Sequence, residues 1–147
     1  MNASDKIILI TGAARGIGRA IAQQFATEGA QIALHYYRNQ AAAAETVAGL
    51  TGQGHTLWQA DLTMPAQSEQ LVQSVIAHYG RLDVLVNNAA IYVDHPLAST
   101  PYDAWQQAWR DTIDANLIAT SNVTYWAAQQ MIAQKTGGSI INISSVV

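Results

Sequence analysis

The sequence predicts an α/β fold, a three-layer architecture in which a parallel sheet is doubly wound by helices, and three observations predict it. Strand-like and helix-like segments alternate from one end of the chain to the other, the pattern of βαβ units joined by right-handed crossovers. The strand-like segments are unbroken apolar runs such as Ile7-Ile8-Leu9-Ile10 and Val84-Leu85-Val86, which suits strands covered on both faces. Glycines and polar residues punctuate the ends of these runs, where the chain has to turn.

Each element follows in order. Ile7 to Ile10 is the first strand. Gly16 to Glu28 reads as a helix, because Ile17, Ala20, Ile21, Gln24 and Phe25 recur at three- and four-residue spacing and Gly29 stops it. Gln31 to His35 is a second strand and Ala41 to Leu50 a second helix, with Gly52 and Gly54 breaking the chain after it. Thr56 to Gln59 is a short third strand. Pro65 suits the first turn of a helix running to Tyr79, closed by Gly80. Val84 to Val86 is a fourth strand, and residues 89–100 form the longest loop. Helical stretches near Tyr102–Thr112 and Asn116–Lys135 follow, Gly137-Gly138 ends the second, and Ser139 to Ile143 is a fifth strand.

Composition narrows the function. The 147 residues suffice for one domain with a real core. Half are hydrophobic and 12% are charged, which sets the chain apart from disordered sequences. A net charge of −3 with no basic tract gives nucleic acid no electrostatic footing. Cysteine is absent, so there are no disulfides, thiolate metal sites or cysteine nucleophiles. His35, His55, His78 and His95 share no ligand spacing, and no metal is assigned. No apolar run approaches the roughly 18 residues of a membrane helix, and the run after Lys6 is too short for a signal-peptide core. A soluble cytoplasmic protein is the expectation, with no membrane and no nucleic acid among its partners.

The turn Thr11-Gly12-Ala13-Ala14-Arg15-Gly16-Ile17-Gly18 joins the first strand to the first helix. In open parallel sheets, ligands bind beyond the carboxyl ends of the strands. Backbone N–H groups and the positive end of a helix dipole gather there. The spacing is T-G-x-x-x-G-x-G. It is neither the G-x-G-x-x-G fingerprint, since Ile21 fills the last position, nor a Walker A loop.

Further polar marks stand at the ends of successive strands: Asp61 after the third, Asn87-Asn88-Ala89 after the fourth, Ser144-Ser145 after the fifth, and Asn116 between the two later helical stretches. Together with the glycine turn, these motifs resemble the short-chain dehydrogenase/reductase family along the whole chain. The resemblance implies a Rossmann-type fold whose dinucleotide-binding domain covers residues 1–147, cut short after the fifth strand. It departs from the family at Ala90, where a glycine is usual, and in having no Tyr-x-x-x-Lys pair, which the family places about a dozen residues after its catalytic serine. Tyr36-Tyr37-Arg38-Asn39-Gln40 is no substitute, since it follows the second strand and has no lysine at that spacing. The expectation is therefore an incomplete fragment, inactive alone, of a protein that pairs with its own missing part or forms a homo-oligomer through the long helix Asn116–Lys135.

What the resemblance implies for residues is specific. Gly12, Gly16 and Gly18 form the pyrophosphate turn with Arg15 and Ile17, and Thr11 braces that turn against the Asn87-Asn88 strand end. Asp61 accepts from the adenine amino group or, on the plainer reading, is a helix N-cap. Leu62 offers its backbone N–H to the ring, Asn87 is structural and touches the cofactor, and Ala89 lies beside the nucleotide. Asn116 is the catalytic asparagine, whose carbonyl holds a relay water. Ser145 is the catalytic serine that hydrogen-bonds the substrate oxygen, and Ser144 is structural. The reaction implied is hydride transfer between the cofactor and a carbonyl or alcohol substrate. The other readings are a nucleotide-binding module without redox activity and, more distantly, a methyltransferase.

The expected cofactor is NADP(H), with NAD(H) possible. NAD-binding domains usually carry an acid at the end of the second strand to grip the ribose, but here that end reads His35-Tyr36-Tyr37-Arg38. Arg15 and Arg38 would flank a 2′-phosphate, since guanidinium binds phosphate oxygens bidentately. Trp105 and Trp109, four apart on one helix, are expected to pack. Asp83 is expected to cap a strand entrance, and Asp111 and Asp114 to be solvated surface.

Overall fold

The computed structural model describes residues 3–145. Residues 1, 2, 146 and 147 lie outside the described part. Eleven elements run in the order β1 (Ile7–Ile10), α1 (Gly16–Thr27), β2 (Gln31–Tyr36), α2 (Gln40–Ala48), β3 (Thr56–Gln59), α3 (Pro65–Tyr79), β4 (Val84–Asn87), α4 (Tyr102–Ile113), a π-helical turn (Asp114–Ile118), α5 (Ala119–Ala133) and β5 (Ser139–Asn142). The five strands form one sheet in the order β3-β2-β1-β4-β5, and every neighbouring pair is parallel. The chain steps outward twice from β1, once in each direction, which is the doubly wound topology.

Strand parity explains the three layers. Successive side chains of a strand point to opposite faces. Ile8, Ile10, Ile32, Leu34, Val84 and Val86 accordingly pack with Ala22, Ala26 and Ala43 on the side of α1 and α2. Ile7, Leu9, Ala33 and Leu85 pack with Leu71, Val72, Val75, Val123 and Ala127 on the side of α3 and α5. All four residues of β1 are buried, as its unbroken apolar run requires. Asp83 does cap a strand entrance: its carboxylate accepts from the Ile7 N–H at 2.9 Å and pairs with Lys6 and Arg81.

Two expectations are corrected. The stretches 102–112 and 116–135 are not separate helices, because the backbone runs from α4 through a π-helical turn into α5 without leaving helical geometry. A π-turn accommodates one extra residue per turn, and such turns recur at functional positions. Trp109 is also not packed away. It remains 46% exposed, with Trp105 5.9 Å from it, Tyr102 6.2 Å beyond Trp105, and His95 edge-on at 5.9 Å. The outer edge of β5 is unpaired among the described residues, and no helix there is long and apolar enough to cross a membrane.

Candidate functional site

Because every strand is parallel, all the strand-end residues fall on one edge of the sheet. The β1–α1 turn, Arg38 after β2, Asp61 and Leu62 after β3, Asn87 to Ala89 at and after β4, and Ser145 beyond β5 share this carboxyl edge. Among the described residues no group of His, Asp and Glu could hold a metal ion.

Thr11 is the pin between the glycine turn and β4. Its side-chain oxygen accepts from the N–H groups of Asn88 at 2.9 Å and Ala89 at 3.0 Å, and Thr11 is 2% exposed. Asn88 completes the clamp from the other side, its amide donating to the carbonyls of Thr11 and Gly12 at 2.9 and 3.1 Å. Thr11→Val keeps the shape and removes the acceptor for two backbone donors. It is expected to cost about 2 kcal/mol in urea unfolding, with Thr11→Ser close to wild type. A valine variant as stable as wild type would mean that the hydroxyl does not hold the clamp.

The glycines divide into two kinds. A Cβ on Gly12 would stand 2.9 Å from the Ala89 Cα, and one on Gly18 would stand 2.5 Å from the Asn88 amide nitrogen and 2.7 Å from the Gly12 carbonyl. Internal packing demands both. Gly16 differs: its φ is +56°, and a Cβ there would meet nothing within 4 Å. It faces open space at the first residue of α1. That helix start has no side-chain cap and no acid in its first turn, and Arg15 and Ile17 beside it are exposed. Its unpaired N–H groups and dipole end therefore form a place for an anion. A dinucleotide pyrophosphate fits this donor set.

Beyond β3, Asp61 is not the N-cap of α3. Met64 occupies that position, without a side-chain cap bond. Asp61 instead holds the turn before it, accepting from the Thr63 N–H at 3.0 Å and the Thr63 hydroxyl at 2.6 Å. Partial burial pushes its pKa up. The Thr63 bonds, the Tyr37 hydroxyl and the charge of Arg38 outweigh that and hold the carboxyl below its ordinary value. Arg38 is exposed, with its guanidinium 4.6 Å over the Tyr37 ring and within 3.2 Å of the Tyr37 hydroxyl. The Leu62 side chain is buried, and its carbonyl accepts from the Ser68 hydroxyl.

Asn87 is 5% exposed, and its amide donates inward, to the Thr124 hydroxyl and the side-chain amide oxygen (Oδ1) of Asn142, both at 2.9 Å. These two bonds are structural, joining β4 to α5 and β5. The Asn116 side chain, in the π-turn, makes a reciprocal pair with the backbone of Ile91 at 2.9 Å each way. That pair ties the loop after β4 to the helix. Ser145 is exposed and follows Ile143, whose N–H donates to the Asn87 carbonyl. Ala89 lies against Gly12.

Three contributors were not singled out from the sequence: Thr124 and Asn142, which anchor Asn87, and His35. The imidazole of His35 accepts from the Gly12 N–H through Nδ1 at 3.1 Å and reaches the Ala60 carbonyl through Nε2 at 3.1 Å. Burial pushes its pKa down from 6.5 to about 4 against the opposing pull of the Ala60 carbonyl and the Asp61 charge, so the ring is neutral near pH 7.

A doubly wound parallel sheet with a glycine turn at its carboxyl edge is the architecture of a nucleotide-binding fold. Residues 6–147 match the short chain dehydrogenase family, and the chain belongs to it. It is similar to the 3-oxoacyl-[acyl-carrier-protein] reductase FabG of Staphylococcus aureus, 39% identical over 144 residues, covering 97% of this chain and 56% of the relative. It is similar as well to the FabG reductase of Staphylococcus epidermidis, 36% identical over 145 residues, covering 97% and 57%. An uncharacterized oxidoreductase of Methylorubrum extorquens is 35% identical over 144 residues, covering 97% and 55%. The chain thus spans about half the length of the curated relatives it matches.

Proposed function

We propose that the protein is an NADP(H)-dependent oxidoreductase of carbonyl and alcohol substrates, with residues 1–147 as its dinucleotide-binding domain. The observation that carries this reading is the uncapped, acid-free start of α1, with Gly16 opening onto space beside Arg15. Gly12, Gly16, Ile17 and Gly18 shape the pyrophosphate site. Asp61 and the backbone of Leu62 hold the adenine side, and Ala89 lies along the nucleotide. Asn87 acts by holding β4, α5 and β5 in place. The nicotinamide, when bound, supplies or takes up the hydride. The chain's own task is to orient and to hold charge. Ser145 donates its hydroxyl to the substrate oxygen, where preorganised donors stabilise developing negative charge. Asn116 keeps the π-turn and the Ile91 loop together, and its backbone carbonyl holds the water that relays protons. No Tyr-x-x-x-Lys pair occurs in the 147 residues. On this reading they bind cofactor without turning over substrate, as one part of a cytoplasmic homo-oligomer. The names of the relatives make 3-oxoacyl compounds the first substrates to try with the full-length protein.

NADP(H) over NAD(H) rests on the end of β2, which carries no acid to repel a 2′-phosphate and exposes Arg38 there. Calorimetric titration is expected to find NADPH bound more tightly than NADH. Arg38→Ala is expected to weaken NADPH by about tenfold and leave NADH unchanged, the worth of one charge-assisted contact. Tighter NADH binding by the wild type, or equal losses in the variant, would overturn the assignment.

A further inference from the structure

β1 and β3 do not touch. They lie on either side of β2, about 10 Å apart at the usual strand spacing. Yet the glycine turn ends β1, and the Asp61–Leu62 turn follows β3. Any ligand that spans both turns needs their separation fixed, and no ladder hydrogen bond runs between them. Only β2 can set it.

The end of β2 reaches in both directions. The backbone supplies one bond to each side: the Ala13 N–H donates to the His35 carbonyl at 2.9 Å, and the Ala60 N–H donates to the Tyr36 carbonyl at 3.2 Å. The His35 side chain supplies a second pair. Nδ1 accepts from Gly12 N–H, so it carries no proton, and the neutral ring then carries its hydrogen on Nε2 and donates it to the Ala60 carbonyl. One rigid ring, 2% exposed, thus uses both nitrogens to tie the first glycine of the glycine turn to the last residue before the Asp61 turn.

We propose that His35 is a positioning residue for the dinucleotide, setting the spacing between the pyrophosphate turn and the adenine-side turn through its two ring nitrogens. This rests on the cofactor reading above and deepens it. Gly12 has a left-handed φ of +65°, and holding its N–H from behind fixes the peptide that leads into the anion site. Ala60 directly precedes Asp61, so a bond to its carbonyl fixes the other turn.

The two bonds separate by substitution. Asparagine places its carbonyl oxygen near Nδ1, so His35→Asn retains the Gly12 bond and loses the Ala60 bond. Glutamine places its amide nitrogen near Nε2, so His35→Gln retains the Ala60 bond and loses the Gly12 bond. His35→Phe retains neither. NADP+ is titrated calorimetrically into each full chain, alongside urea unfolding and amide exchange at Gly12. His35→Gln is expected to lose about tenfold in affinity together with protection at Gly12, His35→Asn to lose a similar factor in affinity while Gly12 stays protected, and His35→Phe to lose more than either, beyond what any change in stability accounts for. Affinities that are unchanged in the Gln and Phe variants, or that merely follow stability across all three, overturn the proposal. A wild type that binds neither NADP+ nor NAD+ overturns the cofactor reading itself, which the variants alone would not do.

Discussion

Gly18→Ala is expected to unfold the turn at the heart of the site, lowering stability by about 3 kcal/mol and abolishing measurable NADPH binding. The new methyl would stand 2.5 Å from the Asn88 amide nitrogen, 2.7 Å from the Gly12 carbonyl and 2.8 Å from the Ala13 Cα. None of these can yield cheaply. The last two are backbone, and the Asn88 amide is committed to the carbonyls of Thr11 and Gly12. Gly16→Ala is the instructive contrast. Its methyl meets nothing within 4 Å, and the only cost is the left-handed φ of +56°, about 1–2 kcal/mol for a residue with a Cβ. The fold is expected to survive while NADPH affinity falls, because the methyl enters the space left for the anion. Urea unfolding and calorimetric titration separate the two cases. A Gly18→Ala protein of wild-type stability, or a Gly16→Ala protein of wild-type affinity, would contradict the division between packing glycine and cradle glycine.

The parts of this architecture that were legible in the sequence are those with local causes. Unbroken runs such as Ile7–Ile10 announce strands buried on both faces, and Pro65 and Gly80 bracket α3 as their backbone preferences dictate. The Thr11 brace came from the family resemblance and not from a local cause, and the bonds its hydroxyl oxygen accepts from the Asn88 and Ala89 N–H groups show what the side chain holds. The remainder depends on register and topology. Whether Asn87 or Asn88 clamps the turn is decided by strand parity: Asn87 faces α5 and β5, and Asn88, one residue on, faces the turn. Nothing local marks the π-turn at Asp114–Ile118, because a helix that gains one residue keeps its apolar period on either side. His35 reads locally as an ordinary buried polar residue. Its meaning appears only once β2 is seen to lie between β1 and β3.

That buried ring also gives the protein an acid-side liability with a definite sign. Between pH 6.5 and about 4, the ordinary and folded values for His35, the unfolded chain binds a proton at this side chain that the folded chain refuses. Stability therefore falls as the pH drops through that window, by about 1.4 kcal/mol per unit and about 3 kcal/mol in all; above 6.5 the contribution is level. One charged group bears on the ring, Asp61. Asp61 favours the protonated ring, but burial outweighs it. Arg15 and, on α3, Glu69 and His78 are exposed, and α5 carries no charged side chain against this face. Asp61 itself acts outside the window. Its carboxyl is held below the ordinary value, so the stability it contributes is lost only at pH below the usual carboxylate range, about 4. Protonating His35 would also put a hydrogen on Nδ1, where the Gly12 N–H already points, so acid should loosen the glycine turn first. Urea unfolding between about pH 4.5 and 7 measures the slope. His35→Asn, which cannot titrate and keeps an acceptor for Gly12, is expected to remove about 1.4 kcal/mol per unit of that slope. An identical slope in the variant would mean that the acid sensitivity resides elsewhere and that the imidazole takes up its proton in the folded state.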